Sequence, residues 1–138
     1  HYINKNHKLT IETNASLNID FQDEYQKNIL FSMSVKLSNS LEPLKKRVNK
    51  STLTKILENT KESYLKFVIG NDFLENAIVE IEDILKNIPQ CEVYLMPLGD
   101  SSEAIDINSE KVVNLAIKYG FKYSDRLHIR IWNNKRGV

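Results

Sequence analysis

The sequence predicts an α/β fold of about five mostly parallel strands with interleaved helices, in one domain spanning residues 1–138. Three observations carry this. Short apolar runs of six to nine residues recur along the chain. Stretches with apolar residues at helical spacing lie between them, and strand–helix–strand alternation is the pattern of parallel βαβ units. No repeat, low-complexity tract or Pro/Gly-rich linker divides the chain.

The elements follow in order. The alternation in LTIETN (Leu9–Asn14) predicts a first strand. Asp20–Lys27 predicts a short turn of helix, and ILFSMSVKL (Ile29–Leu37) a second strand. Ser51–Asn59 starts at a Ser/Thr cap and repeats Leu53, Ile56 and Leu57, which predicts a helix. YLKFVIG (Tyr64–Gly70) is a third strand ending at a glycine. Glu75–Ile88 is the clearest helix, with Asp72 as the expected cap, an apolar stripe of Ile78, Ile81, Ile84, Leu85 and Ile88, and Pro89 as the stop. EVYLMPL (Glu92–Leu98) is a fourth strand, closed by Pro97 and Gly99. Ser109–Tyr119 predicts a helix with Gly120 as a left-handed C-cap. LHIRIW (Leu127–Trp132) is taken as the fifth strand.

Composition bounds the possible functions. Hydrophobic content of 41% with 27% charged residues is that of a globular domain, and no apolar run approaches the roughly 18 residues of a membrane span. The first ten residues lack the apolar stretch of a secretory leader. The lone Cys91 allows neither an intrachain disulfide nor a cysteine-based metal site within the chain, and a cytoplasmic setting is expected. His1, His7 and His128 do not form a metal spacing, so no metal ligand is expected here. P-loop, GxGxxG, HExxH and GxSxG motifs are missing, and the bases lack the interleaved aromatics of an RNA-binding sheet. Residues 71–110 carry ten acids and one Lys, and residues 111–138 seven bases and one acid. A basic end favours an anionic ligand, though neighbouring opposite charges also serve solubility. The opening HYINKNHK reads like the tail of a helix, from which residues upstream are expected.

Parallel sheets place ligand chemistry at the carboxyl ends of their strands. Glu12 there is a candidate for hydrogen bonding or proton transfer, or else belongs to a turn that Asn14 supports. Ser34 and Lys36 suit a carboxylate or a ribose, or else Lys36 lies in solvent. Tyr94, Leu95, Met96 and Pro97 are candidates to line a flat aromatic ligand, or form a buried strand. His128 is a candidate donor or proton carrier, and the basic NNKRGV end carries a terminal carboxylate or simply frays.

The order of these pieces carries more than any one of them. ETNAS, SMSVKLSNS, YLKFVIG, VYLMPLG and IKYGFKYSDRLHIRIWNNKRGV together resemble the second half of the 7-carboxy-7-deazaguanine synthase family, within the radical S-adenosylmethionine (SAM) superfamily. That family reads close to ETNGT, SPKLS, LKFV, LMPEG and a Gly-Phe-x-Tyr-Ser-x-Arg-Leu-His ending near Asn-x-Arg-Gly-Val. The resemblance spans about residues 8–138 and is most specific from Tyr119 to Val138.

The resemblance implies the C-terminal half of a partial (β/α) barrel. It implies conversion of 6-carboxy-5,6,7,8-tetrahydropterin to 7-carboxy-7-deazaguanine with loss of ammonia, on the route to queuosine. The implied cofactors are SAM, a [4Fe–4S] cluster and Mg²⁺. The cluster and Mg²⁺ ligands are expected outside this chain, which is expected to be inactive alone. Ser34, Val35 and Lys36 match the family's SAM-contacting Ser-Pro-Lys, with Val35 in place of Pro. Tyr94, Leu95, Met96 and Pro97 match the strand near adenine; Glu12 and His128 match substrate-facing residues, and Val138 a substrate-binding terminal carboxylate. Ala15 and Ser16 replace the Gly and Thr of ETNGT, and Leu98 replaces the Glu of LMPEG. A cut sheet edge points to a homodimer; no nucleic-acid or membrane partner is expected. The alternatives are a cluster-free binding or scaffold protein for a nucleoside-like ligand, and another radical SAM branch.

Overall fold

A computed structural model describes residues 7–135 and residue 137. Five strands, β1 (Thr10–Thr13), β2 (Leu30–Ser34), β3 (Tyr64–Ile69), β4 (Glu92–Pro97) and β5 (Lys122–Tyr123), form one sheet in the order β1-β2-β3-β4-β5. All four pairings are parallel. Helices α1 (Leu44–Arg47) and α2 (Lys50–Asn59) connect β2 to β3, α3 (Leu74–Leu85) connects β3 to β4, and α4 (Ser102–Tyr119) connects β4 to β5. Helix α5 (Leu127–Trp132) follows β5, and a short 3-10 turn, Glu24–Asn28, precedes β2.

The strand order decides where the core lies. Crossovers of one hand that always step to the next strand must run over the same side of the sheet. The burial pattern agrees: Phe31, Met33, Leu65, Phe67, Ile69, Val93 and Leu95 cluster with Leu53 and Ile56 of α2, Ala77, Ile81 and Ile84 of α3, and Val112 and Ala116 of α4. Side chains alternate along a strand, so Leu65, Phe67 and Ile69 are fully buried while Tyr64, Lys66 and Val68 between them are only partly covered. Each such apolar side chain stabilises the fold by roughly 1.5–3 kcal/mol. Among the described residues, the core cluster brings no helix residue to the opposite sheet face. This is half of the arrangement seen in a (β/α) barrel, where strands in sequential order wear all helices outside.

Four of the five expected strands and both long helices form where the sequence places them, with shifted ends. The exception is Leu127–Trp132, which is α5, not a strand. Its apolar residues at 127, 129 and 131 fit a period of two. Leu127 and Ile131 are also a helical i, i+4 pair, and six residues cannot separate the two periods. The fifth strand is the two-residue segment Lys122–Tyr123, which already occupies the free edge of β4. Helix α4 starts seven residues before the expected Ser109, capped by Ser101, whose hydroxyl accepts from Ala104 N at 3.2 Å. Asp72 does not cap α3: Phe73 N donates to Gly70 O at 3.1 Å, so Asp72 lies inside a turn. Helix α2 is capped by Asn49, which accepts from Thr52 N at 3.1 Å, two residues before the Ser51 at which the hydroxyl run begins.

Two glycines shape the ends of α4. Gly120 has φ +68°, and Phe121 N donates to Ala116 O at 2.8 Å, the closure of a left-handed C-cap. At Gly99, a Cβ would sit 2.8 Å from Ile105 N, so β4 can pass this close to the start of α4 only without a side chain.

Candidate functional site

The sheet face turned away from these helices presents its side chains in cross-strand rows. Glu12, Ser32, Tyr64 and Glu92 form the first row, by the register of β1 through β4. Ser34, Lys66, Tyr94 and Lys122 form the second, one step nearer the carboxyl ends, and Val68 and Met96 the third. A sheet face meant for a second apolar layer reads as Val, Ile and Leu. This one carries carboxylates, hydroxyls, ammonium groups and two phenols, with its apolar members toward the carboxyl end. That composition suits a polar ligand with a flat ring.

Contacts within the rows give the face its charge. Lys66 Nζ donates to Glu12 Oε1 at 3.3 Å; the Glu12 side chain is 76% exposed and that of Lys66 only 14%. The Tyr64 and Tyr94 rings lie 4.5 Å apart between centroids, tilted by 46°. Lys122 hydrogen-bonds Glu92 and lies 5.4 Å from the Tyr94 ring centroid. The Lys122 hydrogen bond holds the Glu92 carboxyl below the usual carboxylate range, and the same bond pushes the Lys122 ammonium up. The hydroxyl of Ser32 is buried with no partner among the described residues.

The residues singled out from the sequence separate by location. Glu12, Ser34, Tyr94 and Met96 share the open face. Val35 and Leu95 point the other way, into the helix-side core, and Pro97 is buried on the same side as Leu95, so these three reach a ligand through their backbone alone. Lys36 lies past the end of β2, exposed and paired with Glu42. His128 sits on α5, not on a strand, and is exposed. Val138 lies outside the described residues. Ala15, beyond the end of β1, is 3% exposed with φ +52°. This is the left-handed region, which explains why a glycine is at home in the corresponding family motif.

Supporting residues escaped the sequence reading. The loop after β2 is tied to α3 by Glu80, which accepts from Ser38 N at 3.0 Å, from the Ser38 hydroxyl and from Arg47 Nη1 at 3.1 Å. Arg47, 9% exposed, also donates to Glu42 O at 2.8 Å. Helix α5 is held by Arg126, which donates to Gly99 O at 2.7 Å, and by Arg130, which binds Asp125 at 2.6 Å, Ser109 Oγ at 2.9 Å and also Asp106. Its hydrogen bonds to Asp106 and Asp125 push the Arg130 pKa up. Asn133 Oδ1 accepts from Ser102 N at 2.8 Å, at the start of α4. Apart from Asp125, the partners of these Arg and Asn side chains lie more than twenty residues away in the chain.

A hollow of about 850 Å³ opens at the opposite end, where Tyr64, Cys91, Glu92, Gly120 and Lys122 surround the amino ends of the strands. Volume alone would favour it. Strand direction argues for the other end, because barrels and open parallel sheets do their chemistry at the carboxyl ends. Cys91 sits beside that hollow, and burial pushes its thiol pKa up. One cysteine cannot supply the three thiolates of a [4Fe–4S] cluster, so the residues of this chain do not fit that group. Among the described residues no group of three or more His, Cys, Asp or Glu side chains is arranged for a metal ion, and no helix is long and apolar enough to cross a membrane.

Comparison with known proteins gives one consistent result. The chain is 30% identical over 95 residues to the 7-carboxy-7-deazaguanine synthase of Rhodopirellula baltica, covering 67% of this chain and 36% of that protein. The synthase of Pyrobaculum aerophilum is 31% identical over 109 residues, 78% of this chain and 45% of its own length. That of Halobacterium salinarum is 26% identical over 148 residues, 91% of this chain and 54% of its own. The chain thus spans about a third to a half of the length of these relatives. No family model matches it, and no solved structure does.

Proposed function

We propose, from the premise that this chain is a distant homologue of part of the 7-carboxy-7-deazaguanine synthases, that it forms the ligand wall of such an enzyme: the barrel half that binds SAM and the pterin. The carrying observation is the strand order. Sequential parallel strands with the crossover helices α2, α3 and α4 packed on one side turn their other face away from them, and that face bears Glu12, Ser34, Tyr94 and Met96.

In this reading Ser34 and Lys36 meet the polar parts of SAM, Tyr94 and Met96 flank its adenine, and Glu12 and His128 face the pterin. SAM, when bound beside a cluster, supplies the hydrogen-abstracting chemistry of the superfamily. What this chain contributes is binding, orientation and proton handling. Glu12 is a carboxylate open to solvent on one side, suited to accept hydrogen bonds from the N–H edge of a pterin or to take up a proton. The Glu80–Arg47 tether fixes the loop that carries Lys36. The cluster itself has no place among these residues, and the 138-residue chain is expected to cleave no SAM after anaerobic reconstitution with iron and sulfide.

Binding is the direct test. Equilibrium dialysis should show the chain taking up SAM and 6-carboxy-5,6,7,8-tetrahydropterin, with Ser34→Ala weakening SAM and Glu12→Ala weakening the pterin. Uptake of neither ligand at millimolar concentration sinks the reading. The same reading includes a homodimer. Among the described residues no strand lies beside the outer edge of β1, and Leu127, Ile131 and Trp132 of α5 are exposed. Sedimentation equilibrium should show mass rising with concentration toward twice 16.0 kDa.

A further inference from the structure

The Lys66–Glu12 pair is unusual in what it spans. Lys66 stands on β3 and Glu12 on β1, with β2 between them. Neighbouring strands lie about 4.8 Å apart, so the pair arches over the middle strand. Beneath it, in the same row as Glu12, is Ser32, fully buried with its hydroxyl unpartnered. A buried hydroxyl without a partner calls for a reason.

The arch itself is weakly made. Glu12 is the one acceptor of Lys66 among the described residues, at 3.3 Å, against about 2.7–2.9 Å for a tight charge-assisted bond. Lysine is rarely buried unless well paired, yet the Lys66 side chain is only 14% exposed while its partner stays mostly in water. It has three donors and one long bond. An underused ammonium next to an unused hydroxyl is the donor set of a carboxylate site.

We propose that Lys66 anchors a ligand carboxylate on the open sheet face. Glu12 holds Lys66 in the unliganded chain; the ligand carboxylate displaces it, and the parted arch uncovers the Ser32 hydroxyl as a second donor. This rests on the reading of that face as the ligand wall. A carboxylate could come from the pterin or from the amino-acid part of SAM, and matched probes separate the two sources: 6-carboxypterin against pterin, and S-adenosylhomocysteine against 5′-methylthioadenosine.

Each probe is titrated into the 138-residue chain, by ligand fluorescence for the pterins and by calorimetry for the nucleosides. In Lys66→Met, one carboxylate-bearing probe should bind about tenfold more weakly or worse, as expected for a lost bond between charged groups, while its carboxylate-free mate stays within about twofold. Lys66→Arg should recover most of the loss, and Ser32→Ala should weaken the same probe about threefold, as for one neutral hydrogen bond. The pair that responds identifies the source. Unchanged carboxylate binding in Lys66→Met overturns the inference and leaves the proposed function standing. If the wild-type chain binds none of the four probes, the proposed function fails and takes the inference with it. Should Lys66→Met not fold, Ser32→Ala decides: selective weakening of a carboxylate probe supports the inference, and unchanged binding overturns it.

Discussion

Replacing Glu80 by Ala should unfasten the loop that follows β2, and the cost can be worked from the contacts. The carboxylate of Glu80 accepts from Ser38 N at 3.0 Å, from the Ser38 hydroxyl and from Arg47 at 3.1 Å. Removing one partner of a buried ion pair costs about 3–5 kcal/mol, because the other charge stays behind. Two features reduce this here. The Glu80 side chain is 28% exposed, so water screens the pair, and Arg47 keeps its 2.8 Å bond to Glu42 O. About 2–3 kcal/mol is the expected loss. A chain of this size should lose about 3–5 °C of Tm per kcal/mol, so Glu80→Ala should melt about 6–15 °C lower. Glu80→Met with Arg47→Met should recover much of the loss, since an apolar pair is often as stable as a buried ion pair. The assay is urea denaturation of wild type, both single variants and the double variant. A single-variant loss below about 0.5 kcal/mol, or strict additivity in the cycle, would refute the claim that this pair is the tether.

Three further outcomes follow from the same structure. Gly99→Ala should cost about 1–3 kcal/mol, because the new Cβ meets the α4 backbone at Ile105 N and Ala104 C, which cannot swing aside as a side chain would; an unchanged urea midpoint would show that β4 and α4 are not in such close contact. Cys91 should react more slowly with iodoacetamide at pH 8 than an unhindered thiol, since burial raises its pKa and lowers the thiolate fraction; equal rates in native and urea-unfolded chain would contradict this. Glu92 and Asp20 both titrate below their ordinary range, held down by hydrogen bonds from Lys122 and Lys55. Their stabilising effect is complete above the unfolded carboxyl pKa of about 4 and is lost as pH falls through the lower folded values. Lys122, shifted up, adds stability that is complete below its unfolded pKa of about 10.4 and fades as pH rises through its higher folded value. Glu92→Gln should therefore flatten both the acid and the alkaline limbs of a Tm–pH curve, and parallel curves for variant and wild type would count against it.

What the amino-acid sequence alone determined is whatever depends on neighbours within a turn or two. The alternation in YLKFVIG separates Leu65, Phe67 and Ile69 from Tyr64, Lys66 and Val68, and both sets lie as that parity requires. The stripe of Ile78, Ile81 and Ile84 is buried on α3, and Gly120 caps α4 because only local φ is at stake. Sequence order likewise carried the relationship to the synthases; of the strand-end residues that polarity pointed to, Glu12, Ser34, Tyr94 and Met96 share the open face, while Leu95 and Pro97 are buried on the other side and His128 lies on a helix.

Tertiary structure decided the rest, where contacts join residues far apart in the chain. Leu127–Trp132 became a helix because Lys122–Tyr123 had taken the edge of β4, a competition invisible within six residues. Lys66 finds Glu12 at a separation of 54 residues, and Glu80 finds Ser38 at 42. No periodicity encodes such separations, since they follow from how strands, loops and helices pack together. That one face of the sheet would be left open also rests on the order in which the strands assemble, a property of the packed sheet that no strand possesses by itself.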